Sequence, residues 1–592
     1  MEKEEYEVLI RVSSPADVKA LSAVELEALA ADCRRALLYK LSRHGGHVGP
    51  NLGMVEATIA LHRVFDSPTD KLVWDVSHQT YVHKMLTGRA GAFTDAAHFD
   101  DVTGYSSPAE SEHDTFELGH TSTSVSLATG LAKARDLRGG TENVIAIIGD
   151  GSLSGGEAYE GLNVAAELDT NIIIVVNDNE MSIAENHGGY MRNLALLRDT
   201  GGKAECNIFK ALGFDYLYVE QGNDIATLIE AFSQVKDTKH PTVVHIHTLK
   251  GKGYEPAEAH KEQFHWHIPW NLATGKSEPA GPANEDYASI TANFLLDEMK
   301  HDPMLVAMAA AVPGMMGFNA DRRREAGRQY VDVGIAEEEA IAMASGLATA
   351  GAHPVFGTAS TFFQRTYDQL SQDVCINRSP VTFIVNCGSV LGLNDVTHLG
   401  FFDIPLISNI PNMVYLAPTT VEEYLAMLKW SIKQNEHPVT IKIPGGPVRH
   451  ATAPVAADYS QLNSYEVTAR GTRVALLGLG TFYETAVEAA AQLKQQAGIE
   501  ATVVNPRYIT GVDTDLLSSL KVDHDVVVTI EDGVLDGGFG EKIARYYGPT
   551  VMRVLNYGLR KEFVDRYDYG QILSDNHLTA PQIVADVLAL VE

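Results

Sequence analysis

The sequence predicts an α/β protein of three doubly wound domains, and three observations carry that reading. Apolar, β-branched runs alternate with amphipathic stretches along the whole chain, as in βαβ units that build a parallel sheet. Aperiodic stretches rich in Gly, Pro and Ala interrupt this alternation twice. The length, 592 residues, suits three or four cores at about 150 residues each.

In the first block, 1–275, the runs at 143–150 (NVIAIIGD), 171–178 (NIIIVVND) and 241–248 (PTVVHIHT) read as buried parallel strands. A helical stretch at 155–168 lies between the first two. The chain at 270–285 reads as a linker. The second block, 285–448, carries a helix at 337–351 and strands at 353–360 and 381–386. The third, 465–592, carries strands at 473–480 and 525–532 around a helix. Its Gly478-Leu479-Gly480 lacks the third glycine of a dinucleotide fingerprint and reads as a structural turn.

Lys and Arg number 46 against 77 Asp and Glu, a net charge of −31. So acidic a surface excludes nucleic-acid or anionic-membrane binding by bulk electrostatics. Any anionic substrate then needs a locally basic pocket. Four scattered cysteines form no CxxC pair, which points to a reducing compartment without disulfides. The acidic start, MEKEEYEVLIRV, has neither an apolar signal core nor an Arg-rich transit pattern. No apolar run reaches the ~18 residues of a membrane span. A cytoplasmic protein is expected.

The chemistry concentrates at Gly149-Asp150-Gly151-Ser152, where an apolar strand meets a helix. Asn179 follows at the end of the next apolar run. Adjacent parallel strand ends bring both side chains to one carboxyl edge, where ligands bind. Asp150, Asn179 and a backbone carbonyl near Met181 then suit Mg²⁺, with diphosphate oxygens completing the octahedron. Gly151 admits the diphosphate, and the helix that opens after Ser152 favours its charge. A GDG turn alone is commonplace; the spacing to Asn179 gives it meaning.

These motifs resemble those of thiamine-diphosphate enzymes of the transketolase family. Further stretches are similar to its 1-deoxy-D-xylulose-5-phosphate synthase branch: 44–65 (HGGHVGPNLGMVEATIALHRVF), 74–89 (WDVSHQTYVHKMLTGR), 118–130, 250–258, 332–340, 359–369 and 395–403. The resemblance runs through nearly the whole chain. It implies a diphosphate-binding domain and a pyrimidine-binding domain, both of thiamine-diphosphate-binding fold, then a transketolase C-terminal domain. It implies thiamine diphosphate and Mg²⁺ as cofactors, a pyruvate-like donor, an aldehyde acceptor (glyceraldehyde 3-phosphate in the family) and a homodimer.

Residue by residue, the resemblance puts Glu337 on the aminopyrimidine of the cofactor, which a buried glutamate of raised pKa suits. Phe362 would stack on that ring, with Arg365 nearby. His78, His120, Thr121, Ser122, Gly151, Ser152 and Lys250 would line the cofactor cleft. His47, His265 and His398 would face substrate oxygens or shuttle protons.

The chain departs from the family where the acceptor phosphate is held. Two expected arginines are Cys387 and Gly445, an aromatic hydroxyl is Ala359, and an aspartate is Asn394. Lys442 occupies a basic position, and Arg449 has no assigned place. Charged hydrogen bonds contribute about 1.5–3 kcal/mol each, so losing two guanidiniums costs roughly 10²–10⁴ in acceptor affinity. A long, mobile segment that covers the site in the family is cut to about 25 residues, 190–213, which predicts altered access. The sequence leaves open a changed or unphosphorylated acceptor, a non-catalytic cofactor-binding homologue, and, on the GxG alone, a nucleotide-dependent dehydrogenase.

Overall fold

In the computed structural model, which describes residues 6–277 and 285–591, the apolar runs form three main sheets and one small ribbon. The first five residues of the acidic start and 278–284 of the expected linker lie outside the described residues. The chain divides into two compact units, Met1–Ala283 with Gly334–Ala336, and Asn284–Val333 with Glu337–Glu592.

In the first unit, helix Ala23–His44 ends at Gly45 and Gly46, with φ of +86° and +129°. A Cβ on Gly45 would lie 2.9 Å from the His267 carbonyl oxygen, so only glycine lets the chain turn so tightly here. The turn delivers β1 (Gly46–His47), which pairs antiparallel with β7 (Trp266–His267). The five remaining strands are β2 (Lys71–Trp74), β3 (Val144–Gly149), β4 (Ile173–Asp178), β5 (Asp215–Val219) and β6 (Thr242–His247). They form a parallel sheet in the order β2-β3-β4-β6-β5.

Alternate residues of β3 and β4 enter opposite layers. Ile145, Ile147, Ile173 and Val175 pack on one side with Ala57, Leu61, Leu228 and Phe232. Ala146, Ile148, Ile174 and Val176 pack on the other with Val125, Ala128 and Leu162. Two buried faces explain why these strands read as continuous apolar runs. The shortened segment joins the second layer: helices Gly189–Asp199 and Ile208–Leu212 bury Leu194, Leu197 and Phe209 completely. Trp270 corrects the linker reading. It is buried against Phe264 and His267, and its Nε1 donates to the Tyr254 hydroxyl at 2.9 Å.

The second unit contains two sheets. One holds β8 (Leu305–Ala309), β9 (Tyr330–Asp332), β10 (His353–Ala359), β11 (Thr382–Asn386), β12 (Val414–Leu416) and β13 (Val439–Lys442). Its order is β12-β13-β11-β10-β8-β9, all parallel. The other holds β14 (Glu466–Ala469), β15 (Arg473–Gly478), β16 (Thr502–Asn505), β17 (His524–Val534) and β18 (Arg553–Leu559), in the order β14-β16-β15-β17-β18. Only the edge strand β14 runs antiparallel. The two sheets share a core: Leu416 and Tyr415 belong to the same apolar cluster as Leu477, Val504, Val527 and Phe539. Glu423 and Arg507 add a 3.0 Å ion pair between them, supported by Asn505.

Among the described residues, no helix is long and apolar enough to cross a membrane. All four cysteines are free.

Phe209 stacks on Tyr216 at 5.8 Å. Truncating a fully buried phenylalanine costs about 3–5 kcal/mol. Phe209→Ala should therefore lower the urea midpoint by a corresponding amount. A loss below about 1 kcal/mol would show that the segment lies outside the core.

Candidate active site

The site residues fall into two sets, one in each unit. In the first unit, Gly149 of β3 stands opposite Asn177 of β4, and the Asp150 amide donates to the Asn177 carbonyl at 3.0 Å. Asp150 thus leaves its strand beside Asp178, with Asn179 next along. Asp150 is buried; its Oδ1 accepts from Gly151 N at 2.9 Å and its Oδ2 from Asn186 Nδ2 at 2.8 Å. Burial, and then the Asp178 carboxylate, push its pKa up. Against its own burial, His245 and then Arg198 hold Asp178 below the ordinary carboxylate range.

The loop after β4 is tight. Glu180 has φ +68°, and the Met181 amide donates to Asn179 Oδ1 at 3.2 Å. Gly151 approaches this loop so closely that an added Cβ would lie 2.7 Å from Ser182 Cβ. On its other side, the Ser152 carbonyl accepts from Ser122 Oγ at 2.8 Å. His120 and Thr121, just before Ser122, are half-buried. Ser122 has φ +75°. It is held by Asp75, whose oxygens accept from the amides of Ser122 and Ser124 at 2.9 and 3.0 Å. Val76 and Ser77 follow Asp75 with φ of 57° and 69°, a local strain of the kind concentrated at functional sites.

Lys250 is buried, donates to the Ser182 carbonyl, and lies 3.1 Å from His265 Nδ1. Burial lowers the Lys250 pKa to about 7 and, with the neighbouring Lys250, drives that of His265 well below its usual value. While Lys250 is protonated it can only donate, so Nδ1 of the neutral His265 accepts and Nε2 carries the proton. His47, His78 and His265 form one cluster, with ring centroids 5.0, 5.2 and 5.6 Å apart. Asn51 ties it together: its Nδ2 donates to the carbonyls of His47 and His78, each at 2.8 Å.

In the second unit, Glu337 opens helix Glu337–Thr349 and is buried. Its Oε2 has no hydrogen-bond partner, and Arg365 Nη1 comes no nearer than 4.0 Å. Burial raises its pKa to about 7 despite that guanidinium. Phe362 and Arg365 lie in the turns after β10. Phe362 meets His398 edge-on at 5.9 Å. His398 Nδ1 contacts Thr397 Oγ1 at 2.8 Å.

The positions that depart from the family also have a structural account. Gly445 has no room for a side chain, since a Cβ would lie 2.0 Å from Ser389 Oγ. Cys387 has φ +53°, and Ala359 is buried. Asn394 Nδ2 donates to the Tyr567 carbonyl at 3.1 Å. Lys442, at the family's basic position, is buried with both Asp403 oxygens 2.7 Å from its Nζ. Arg449 donates to the Thr481 carbonyl at 3.2 Å.

Sequence reasoning missed Asn51, Asp75, Asp178, His245 and Arg198. Asp75 carried a signal, a charged residue closing an apolar strand. Asn51, His245 and Arg198 are meaningful only through contacts made in the folded chain.

Three family models match the chain in succession. They are 1-deoxy-D-xylulose-5-phosphate synthase over 9–206 and 197–248, the pyrimidine-binding domain of transketolase over 285–449, and the transketolase C-terminal domain over 464–583. Together with three α/β sheets, these matches define a protein of the transketolase class. The chain is 37% identical to 1-deoxy-D-xylulose-5-phosphate synthase 1 of Geobacter sulfurreducens, covering 98% of this chain and 96% of that one. It is 39% identical to the synthase of Symbiobacterium thermophilum, covering 97% and 93%. It belongs to the 1-deoxy-D-xylulose-5-phosphate synthase family. Among solved structures, a transketolase of Campylobacter jejuni is similar over 96% of this chain and 100% of its own, at 17% identity and a TM-score of 0.43.

Glu337 makes stability depend on pH. Its folded pKa of about 7 exceeds the ordinary 4.5, so the folded state binds the proton more tightly and stability falls between those values. At about 1.4 kcal/mol per unit, the full penalty above pH 7 is at most about 3.5 kcal/mol. Glu337→Gln should match the parent near pH 4.5 and exceed it by about 1–3 kcal/mol at pH 8 in urea titrations. Parallel pH profiles of the two proteins would contradict this.

Proposed function

We propose that this protein is a thiamine-diphosphate- and Mg²⁺-dependent synthase that decarboxylates pyruvate and joins the remaining two carbons to glyceraldehyde 3-phosphate. The carbon count supports it: two carbons with a methyl end plus a three-carbon aldehyde phosphate give a five-carbon 1-deoxy ketose 5-phosphate. The single observation that carries the reading is the Glu337 carboxyl, buried with one oxygen lacking a hydrogen bond, in a chain of this family.

The residues fit the cofactors. Asp150, Asn179 and the Met181 carbonyl are hard oxygen donors suited to Mg²⁺. Gly151 stands where any side chain would collide, and Lys250 adds a cation for diphosphate. The orphaned Glu337 oxygen suits a ring nitrogen of the aminopyrimidine. When bound, thiamine diphosphate supplies the carbon nucleophile and electron sink for removing CO₂ from a 2-oxo acid.

This chain's residues do the rest. Ser122, His78, His120 and Thr121 line the diphosphate end with Ser152. Glu337 keeps a proton up to about pH 7 and orients the aminopyrimidine, with Phe362 against the ring and Arg365 beside it. His265 presents an Nε2 proton, and His47 offers a second imidazole beside it for substrate oxygens. His398 faces acceptor oxygens. The blocks 1–275, 285–448 and 465–592 serve as diphosphate, pyrimidine and C-terminal domains of a cytoplasmic homodimer.

A second reading concerns the acceptor. Lys442 is committed to Asp403, and Gly445 is walled by Ser389, so neither offers a cation to a phosphate. This favours an unphosphorylated or differently anchored aldehyde on the same cofactor chemistry.

Glu337→Ala should lower turnover by roughly 10²–10⁴ while Mg²⁺-dependent thiamine diphosphate binding stays within a few-fold. Unchanged turnover would remove Glu337 from the mechanism. With pyruvate as donor, a kcat/KM for glyceraldehyde 3-phosphate far above that for glyceraldehyde supports the first reading. Equal or reversed values support the second. Failure of every aldehyde, with cofactor binding intact, would indicate a non-catalytic homologue.

A further inference from the structure

The helix Gly189–Asp199 ends against the loop that carries Asn179. Arg198, in its last turn, donates from Nη1 to Asp178 Oδ2 at 2.5 Å, and its Nη2 lies 3.3 Å from Glu180 Oε2. These carboxylates flank Asn179 on both sides, so one planar guanidinium holds both neighbours of that amide. Its side chain is only 14% exposed, which keeps the pairing largely out of bulk water.

Asp178 is fixed from a second direction. His245, fully buried on β6, reaches Asp178 Oδ2 with Nε2 at 2.9 Å and the Tyr216 hydroxyl with Nδ1 at 2.8 Å. A carboxylate only accepts, so Nε2 carries the proton and Nδ1 accepts from Tyr216. At the far end of the same loop, Asn186 donates to Asp150 Oδ2. The loop is therefore tied at 178, 180 and 186, and Arg198 supplies the guanidinium that spans two of those ties.

Such ties matter because Asp178 is anionic and adjacent to Asn179. Unrestrained, it would compete with the neutral Asn179 amide for a divalent cation. We propose that Arg198 is the positioning residue of the cation loop: by pairing with Asp178 and Glu180 it fixes both neighbours of Asn179 and so holds Asn179 and the Met181 carbonyl in place for the metal. The inference rests on the assignment of Asp150 and Asn179 to Mg²⁺ made above. It gives the shortened segment a task, because the order of its first helix and the occupancy of the cation site become coupled.

The test measures Mn²⁺ binding by electron paramagnetic resonance with thiamine diphosphate present, in the full-length protein. Arg198→Gln should weaken Mn²⁺ about 10–100-fold, the usual cost of removing a group that orients a metal ligand. Arg198→Lys, which keeps the charge without the fork, should recover part of that loss. Glu180→Gln, at a half-exposed position, should weaken binding a few-fold with an unchanged metal-free melting temperature. In limited proteolysis, metal with cofactor should slow cleavage within 187–205 in the parent but not in Arg198→Gln. If the parent binds no Mn²⁺, or Asp150→Asn binds it equally well, the cofactor reading fails and this inference with it. If the parent binds, Asp150→Asn does not, and both Arg198 variants stay within twofold, the inference alone is overturned. Should Arg198→Gln fail to fold, Arg198→Lys and Glu180→Gln decide: both within twofold of the parent overturns it.

Discussion

A buried carboxylate at the end of a central strand is the constraint on which the first unit depends. Asp150 sits in low dielectric beside a second carboxylate, Asp178, an arrangement that costs free energy unless the surroundings compensate. The compensation is distributed. Gly151 and Asn186 satisfy the oxygens of Asp150, while His245 donates a hydrogen bond to Asp178 and Arg198 pairs with its charge. Each donor comes from a different element, so the parallel sheet, the shortened segment and the β4 loop must all be in place together.

The second unit solves the opposite problem with the same physics. Its acid, Glu337, is buried with an oxygen left unsatisfied, and Arg365 stands too far away to form a hydrogen bond. By contrast, Asp403 has Lys442 and Tyr415 against it. Within one unit, one carboxyl is sealed into a closed network and another keeps an oxygen without a hydrogen bond. Hydrogen bonding separates the two acids more sharply than burial does, since both are buried.

Much of this was legible beforehand. The parallel strands announced themselves because both faces are buried, and the spacing of GDG to Asn179 correctly put Asp150 and Asn179 at the ends of adjacent parallel strands. Glu337 needed the family resemblance, because three adjacent glutamates at a helix start look alike until the fold buries the first. Lys442 read only as a basic position of the family, because the sequence holds no sign that Asp403, 39 residues earlier, lies against it. Likewise, Arg198 lies 20 residues from Asp178, and only the packing of Leu194 and Leu197 turns it onto the loop. Side chains whose role depends on long-range pairing are invisible to periodicity. The linker reading failed at Trp270 because local composition was polar while its ring found an aromatic pocket.

The apolar cluster shared by the two sheets of the second unit has a consequence for how the chain can be divided. Tyr415 and Leu416 on one side, and Leu477, Val504 and Val527 on the other, belong to one continuous apolar core. A cut in the aperiodic stretch between 448 and 465 would leave each fragment with a sticky, water-facing wall and with half of the Glu423–Arg507 pair. The stretch looks like a hinge between independent modules, yet the two pieces on either side form one compact unit. Gene rearrangements, domain transplants and expression of isolated parts have to carry them together.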